Sequence, residues 1–187
     1  MNDAKSTKDV LVYRAKLAVA SVALVGIGFI VGLYIIAPMF NKASEGYIPS
    51  AVLEMPAGTV RITNPDGAKI TLPVRIADTR DAREQGLRNV GEEALETTYL
   101  LYDQERESTY GEDYNMNGVS APLSLAVVDV NGEVVAIKMA EVGQESVDVD
   151  EDHRWVLAVK KGMLDQLGIQ VASTLNPESI HEFNNET

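Results

Sequence analysis

The chain has 187 residues, a formal net charge of −12 and no cysteine. Its length leaves room for one soluble domain of about 130 residues beside a membrane segment and tails. The lack of cysteine excludes disulfides, thiolate catalysis, iron–sulfur clusters and thiolate zinc sites. The acidic surplus argues against nucleic acid or anionic lipid headgroups as ligands of that domain.

Residues 1–16 are polar and basic, with Lys5, Lys8, Arg14 and Lys16 against Asp3 and Asp9. Leu17 to Phe40 then runs for 24 residues without a charged side chain, and 13 of them are Leu, Ile, Val or Phe. An α-helix needs roughly 20 apolar residues to cross a bilayer core, so this run is expected to be one transmembrane helix. It exceeds the roughly 7–15 residues of a signal-peptide core, which predicts retention rather than cleavage. Four basic residues lie before it and Lys42 alone just after it. That bias places the amino terminus in the cytoplasm and the following domain outside the cytoplasmic (inner) membrane, in the periplasm. Gly28 and Gly32 form a small-xxx-small pair, a pattern that lets membrane helices approach closely and is also common because glycine is frequent in such helices.

Residues 41–57 have no sustained period and read as a linker, followed by a domain over 58–175. Thr59 to Thr63 and Ala68 to Ala77, separated by Asn64-Pro65-Asp66-Gly67, predict a β-hairpin. Asp78 to Arg88 predicts a short surface helix with Asp78 or Thr79 as N-cap and a solvated charged face. Tyr99 to Tyr102 reads as a buried strand and Asp103 to Asp113 as an acidic loop. Pro122 to Val142 is two apolar runs around Asn131-Gly132, which predicts a hairpin with a type I′ turn at the centre of the sheet. Asp148 to Asp152 lacks the ligand spacing and turn glycine of a calcium loop. Trp155 to Val159 is a strand with Trp155 in the core, Lys160 to Leu167 a helical turn closed by Gly168, and Ile169 to Leu175 a last strand. Residues 176–187 begin with Asn-Pro and read as a disordered tail.

No catalytic constellation is evident. His153 follows an acidic run and His181 lies in the tail, so neither suggests a metal site. There is no nucleophile elbow, zinc-binding His-Glu-x-x-His, P-loop or dinucleotide fingerprint. Asn185-Glu186-Thr187 matches a glycosylation acceptor by chance spacing. No cofactor is expected.

Over residues 70–175 the chain resembles the family known as domain of unknown function 192. One family motif is an alternating strand, Ala-Asp-Thr, then an Arg ahead of Gly-Leu; here these are Val74 to Thr79, with Asp78, Arg83, Gly86 and Leu87. The central motif runs Phe-Trp-Met-Lys-Asn-Thr, two apolar residues, Pro-Leu-Asp-Ile and an apolar run to Asp and a turn Gly. Its counterpart here is Tyr114 to Leu125, with Met116, Pro122 and Leu123, then Asp129 and Gly132. The resemblance implies an α+β fold, mainly antiparallel β, as a small β-barrel-like domain with one or two short helices; it brings no established reaction. The motif's Trp, Lys, Asn and Asp are replaced by Asn115, Asn117, Gly118 and Ser124. If that cluster binds or reacts in relatives, its charged groups are lost here.

Two functions are consistent with this reading. One is a non-catalytic accessory or structural subunit of a membrane protein complex, anchored by a single helix packing on other transmembrane subunits. The alternative is an anchored enzyme or ligand-binding domain acting alone outside the cytoplasm.

Overall fold

The computed structural model describes residues 46–108 and 114–182. The apolar run Leu17–Phe40, with Gly28 and Gly32, lies outside the described residues; among those described, no helix is long and apolar enough to cross a membrane.

Seven strands form one sheet: β1 (Ala57–Thr63), β2 (Lys69–Ala77), β3 (Leu100–Ser108), β4 (Leu123–Val128), β5 (Val134–Ala140), β6 (His153–Lys160) and β7 (Thr174–Glu182). Their spatial order is β5-β4-β6-β3-β2-β1-β7. Every pairing is antiparallel except β2 with β3. A parallel pair needs a long crossover, and the segment between β2 and β3 supplies it through α2 (Arg80–Gln85) and a 3-10 turn (Ala94–Glu96). Two further short helices are α1 (Ser50–Leu53) and α3 (Met163–Gln166).

Both faces of the sheet are covered, which is why β4 reads as an unbroken apolar run and is buried throughout. Leu123 and Leu125 face one core layer with Leu100, Tyr102, Val156 and Ala158. Ala126 and Val128 face the other, with Leu101, Trp155, Leu157 and Leu175.

Several expectations hold, and several are corrected. The β1–β2 hairpin forms around Asn64 to Gly67, with Gly67 at φ +87°. Thr79, rather than Asp78, caps α2: its hydroxyl accepts from the Ala82 amide at 3.2 Å. The expected linker is instead part of the domain over 50–57, because the α1 residue Val52 and the nearby Met55 are buried in the first core layer, and Arg75 Nη1 donates to the Leu53 and Met55 carbonyls. The start of the expected acidic loop, through Ser108, continues β3.

The β4–β5 hairpin lies at one edge of the sheet, not its centre, which is held by β3. Nor is its turn type I′. Only Asn89 and Ala172 have positive φ among the described non-glycine residues, so Asn131 does not. Asp129 Oδ1 accepts from the amides of Asn131 and Glu133 at 2.9 and 2.8 Å, and the Gly132 amide donates to the Asp129 carbonyl. The carboxylate folds the turn, and only Gly132 takes positive φ, at +88°.

The tail expected from residue 176 onward is β7 as far as Glu182, paired with β1. Asn176-Pro177 does interrupt the ladder, since proline has no N–H to donate. The pairing shifts between Thr59 and Arg61, and Ser179 Oγ accepts the Arg61 amide at 2.8 Å in place of a backbone carbonyl. At the other end of β7 a bridge pairs Glu133 with Thr174, and the Leu175 amide donates to the Gly132 carbonyl at 2.7 Å. The two edges meet at that point, and the sheet is otherwise open rather than a closed barrel.

Candidate functional site

The residues of the two sequence motifs converge on one cleft of about 530 Å³. One wall is α2 and the turn after it, with Arg80, Arg83, Gly86, Leu87 and Arg88; the other is the segment Tyr114 to Val119. The floor is Leu123 and Leu125 of β4 beside Tyr102 of β3. Alternation along a strand puts residues 123 and 125 on one face and residue 124 on the other.

Arg83 fixes the helix to the sheet. Its Nη1 donates to the Asp78 carbonyl at 2.6 Å and to the Asp103 carbonyl at 3.0 Å, tying the start of α2 to β3. The helix ends at Gly86, whose φ of +52° and ψ of −140° exclude most side chains. A β-carbon there would also lie 2.6 Å from the Tyr102 hydroxyl oxygen. Arg88 Nη2 donates to Asn115 Oδ1 at 3.0 Å, linking the two walls.

Burial raises the Tyr102 hydroxyl pKa well above its ordinary value near 10, while the neighbouring Arg88 charge opposes that rise. The Tyr102 and Tyr114 rings meet edge to face with centroids 5.1 Å apart. Behind them His153, buried, has its Nδ1 2.8 Å from the Glu151 carbonyl and its Nε2 3.2 Å from the Tyr114 hydroxyl. A carbonyl only accepts, so Nδ1 carries a proton and donates to Glu151, while Nε2 meets the Tyr114 hydroxyl. His153 is therefore a satisfied core residue that positions Tyr114.

Of the sequence-predicted positions, Arg83, Gly86, Met116 and Leu123 line the cleft. Asp78 acts through its carbonyl on Arg83. Pro122 lies next to the floor and accepts the Lys161 amide at 2.9 Å. Asp129 and Gly132 belong to the turn at the far end of β4. The positions read as one polar cluster do not all stay together: Asn115 lines the cleft and accepts the Asn117 backbone amide at its Oδ1, whereas Ser124 points to the opposite face, where its hydroxyl meets Met139 Sδ at 3.5 Å. The helix face expected to be solvated is solvated only in part. Arg80 and Glu84 pair on the surface at 2.8 Å, while Arg83 and Arg88 are half-buried against the cleft.

Sequence reasoning missed Arg88 and Tyr102 as cleft residues. A signal existed for each, since Arg88 follows Gly86-Leu87 directly and Tyr102 sits at the end of a buried strand where its hydroxyl needs a polar outlet. Among the described residues no three His, Asp or Glu side chains are grouped to hold a metal ion.

This architecture defines a class of small, mainly antiparallel β domains with a cleft between a short helix and the sheet. The family DUF192, described as uncharacterized ACR, matches residues 61–177, and the chain belongs to it. No curated protein matches. Two solved structures share the fold. One, from Sinorhizobium meliloti 1021 and described as a candidate transcription regulator, is 22% identical with a TM-score of 0.58, over 64% of this chain and 92% of that one. The other, a protein of unknown function from Novosphingobium aromaticivorans DSM 12444, is 18% identical with a TM-score of 0.54, over 70% of this chain and 99% of that one.

Proposed function

We propose that the chain is a single-pass accessory subunit of a larger membrane protein complex, whose β-rich domain outside the cytoplasm works by binding rather than catalysis. The observation that carries this reading is the uncharged run Leu17–Phe40 directly ahead of the family domain. A helix of that length anchors the chain, and the Gly28/Gly32 pair gives it a face suited to other transmembrane helices. The basic residues before it favour a periplasmic domain. From residue 41 onward there are 12 basic and 26 acidic side chains, a field that favours a basic docking partner. The domain's arrangement is compatible with binding: the Arg83 and Arg88 side chains hydrogen-bond neutral oxygens, and the hydroxyl of Tyr114 is held from behind by His153.

Extraction in mild detergent tests the reading, because a subunit migrates with a large assembly and a lone protein migrates near its own mass plus micelle. The second reading is an anchored ligand-binding domain that acts alone, and the cleft of about 530 Å³ favours it, being of the size that holds small molecules.

A further inference from the structure

The lining of the cleft carries Arg80, Arg83 and Arg88 against Glu84, a charge opposite in sign to that of residues 41–187 as a whole. Five ion-pair groupings occur among the described residues: Arg80 with Glu84, Lys138 with Glu151, Arg154 with Asp103, Lys160 with Glu92 and Glu96, and Lys161 with Glu141. Arg83 and Arg88 are in none of them. Arg83 is held by two backbone carbonyls and Arg88 by the Asn115 amide oxygen. These partners fix the side chains without neutralising their charges. A guanidinium has five N–H donors, and the hydrogen bond to Asn115 uses Nη2 of Arg88, so a fork remains for a planar anion.

The groups around Arg88 narrow the choice of anion. Tyr102 supplies a hydroxyl held protonated at neutral pH, close enough to Arg88 to feel its charge. Met116, Leu123 and Leu125 supply an apolar floor. The surrounding negative field repels multiply charged anions more than singly charged ones, and an apolar floor gains from burying an apolar body.

We propose that this cleft binds a monovalent carboxylate carried on an apolar or aromatic body, with Arg88 gripping the carboxylate, Arg83 adding a second fixed positive charge, Tyr102 donating its hydroxyl, and Met116, Leu123 and Leu125 covering the body. The carboxylate could come from a free organic acid or from the end of a peptide chain; the recognition chemistry is the same. This deepens the binding reading of the domain and does not depend on the complex.

The test is calorimetric titration of the full chain in detergent with benzoate, its neutral analogue benzamide, inorganic phosphate, and acetyl-glycyl-phenylalanine as free acid and as amide. Saturable binding of benzoate is expected, at least tenfold weaker for benzamide and phosphate, at least tenfold weaker in Arg88→Met and unchanged in Arg61→Met, which alters an arginine outside the cleft. Arg88→Gln repeats the measurement if Arg88→Met does not fold. Tighter binding of the peptide acid than of benzoate, lost in its amide, identifies a chain terminus as the source; tighter binding of benzoate identifies a free acid. No saturable binding of either acid, equal binding of the neutral analogues, phosphate binding as tight as benzoate, or a less than threefold effect at Arg88 overturns the proposal. A chain that purifies alone yet binds benzoate through Arg88 loses the subunit reading and keeps this one, and the reverse result separates them equally.

Discussion

The Tyr102 hydroxyl oxygen occupies the space that a β-carbon on Gly86 would need, 2.6 Å from that position. A glycine of one family motif and a tyrosine of the central strand are thus one feature: the helix α2 can end against β3 only because residue 86 has no side chain. Gly86→Ala is expected to lower stability by about 1–3 kcal/mol, from the cost of the backbone conformation and the collision together. Tyr102→Phe in the same background should recover the collision part and leave the backbone part. Denaturant unfolding of both single variants and the double variant measures this coupling, and strictly additive losses would contradict the shared space.

Tyr102 also makes stability depend on alkaline pH. Its folded pKa is raised above the unfolded value of about 10, so the unfolded chain loses this proton first. The contribution is full below about pH 10 and is lost as pH rises above that toward the folded value. Urea unfolding at pH 9 and pH 11 should show stability falling, with a smaller fall in Tyr102→Phe. The same fall in both would place the linkage on other groups.

Gly132 is constrained by a different strand. A β-carbon there would collide with the Leu175 carbonyl oxygen of β7, and its φ is +88°. Gly132→Ala should therefore cost more than about 1 kcal/mol. Asn131→Ala should cost much less, because Asn131 is exposed and its backbone does not need positive φ. Thermal unfolding distinguishes this from a type I′ turn, in which both positions carry a conformational demand.

At the irregular stretch of β7, Ser179→Ala removes the acceptor of the Arg61 amide at a position that is 5% exposed. The bond is only partly buried and its donor belongs to the exposed Arg61, so its net contribution is about 0.5–1.5 kcal/mol. Denaturant unfolding of Ser179→Ala should show a loss in that range. An unchanged midpoint would mean that the Ser179–Arg61 hydrogen bond contributes nothing to the pairing of β7 with β1.

Local pattern made much of this fold legible. Asn64-Pro65-Asp66-Gly67 between two β-rich runs gave the first hairpin, and the nearly unbroken apolar runs at Leu123 and Trp155 gave two buried strands. What failed was long-range pairing. The hairpin of β4 and β5 had the strongest local signal, yet nothing in its residues says that β6 and β3 continue the sheet on one side only. Asn176-Pro177 looked like an end because the residue that mends the gap, Ser179, acts on Arg61, 118 positions away. The cleft was half legible. Arg83, Gly86, Met116 and Leu123 could be picked out one by one from the family motifs, but their meeting point depends on the crossover from β2 to β3. Reading Asp78 to Arg88 as one helix with a solvated charged face hid Arg88, because the helix ends at Gln85 and Arg88 lies in the turn after it, beside Asn115.

The proposed role as an anchored subunit is decided by native-size analysis of the full chain extracted from membranes in mild detergent, alongside the Gly28→Leu/Gly32→Leu double variant. Bulky side chains at a close-packed helix face hold the backbones apart. The wild type is predicted to migrate with a large assembly and the double variant to leave it with its domain still folded. A wild type that always migrates alone, or a double variant that remains fully assembled, would contradict the claim.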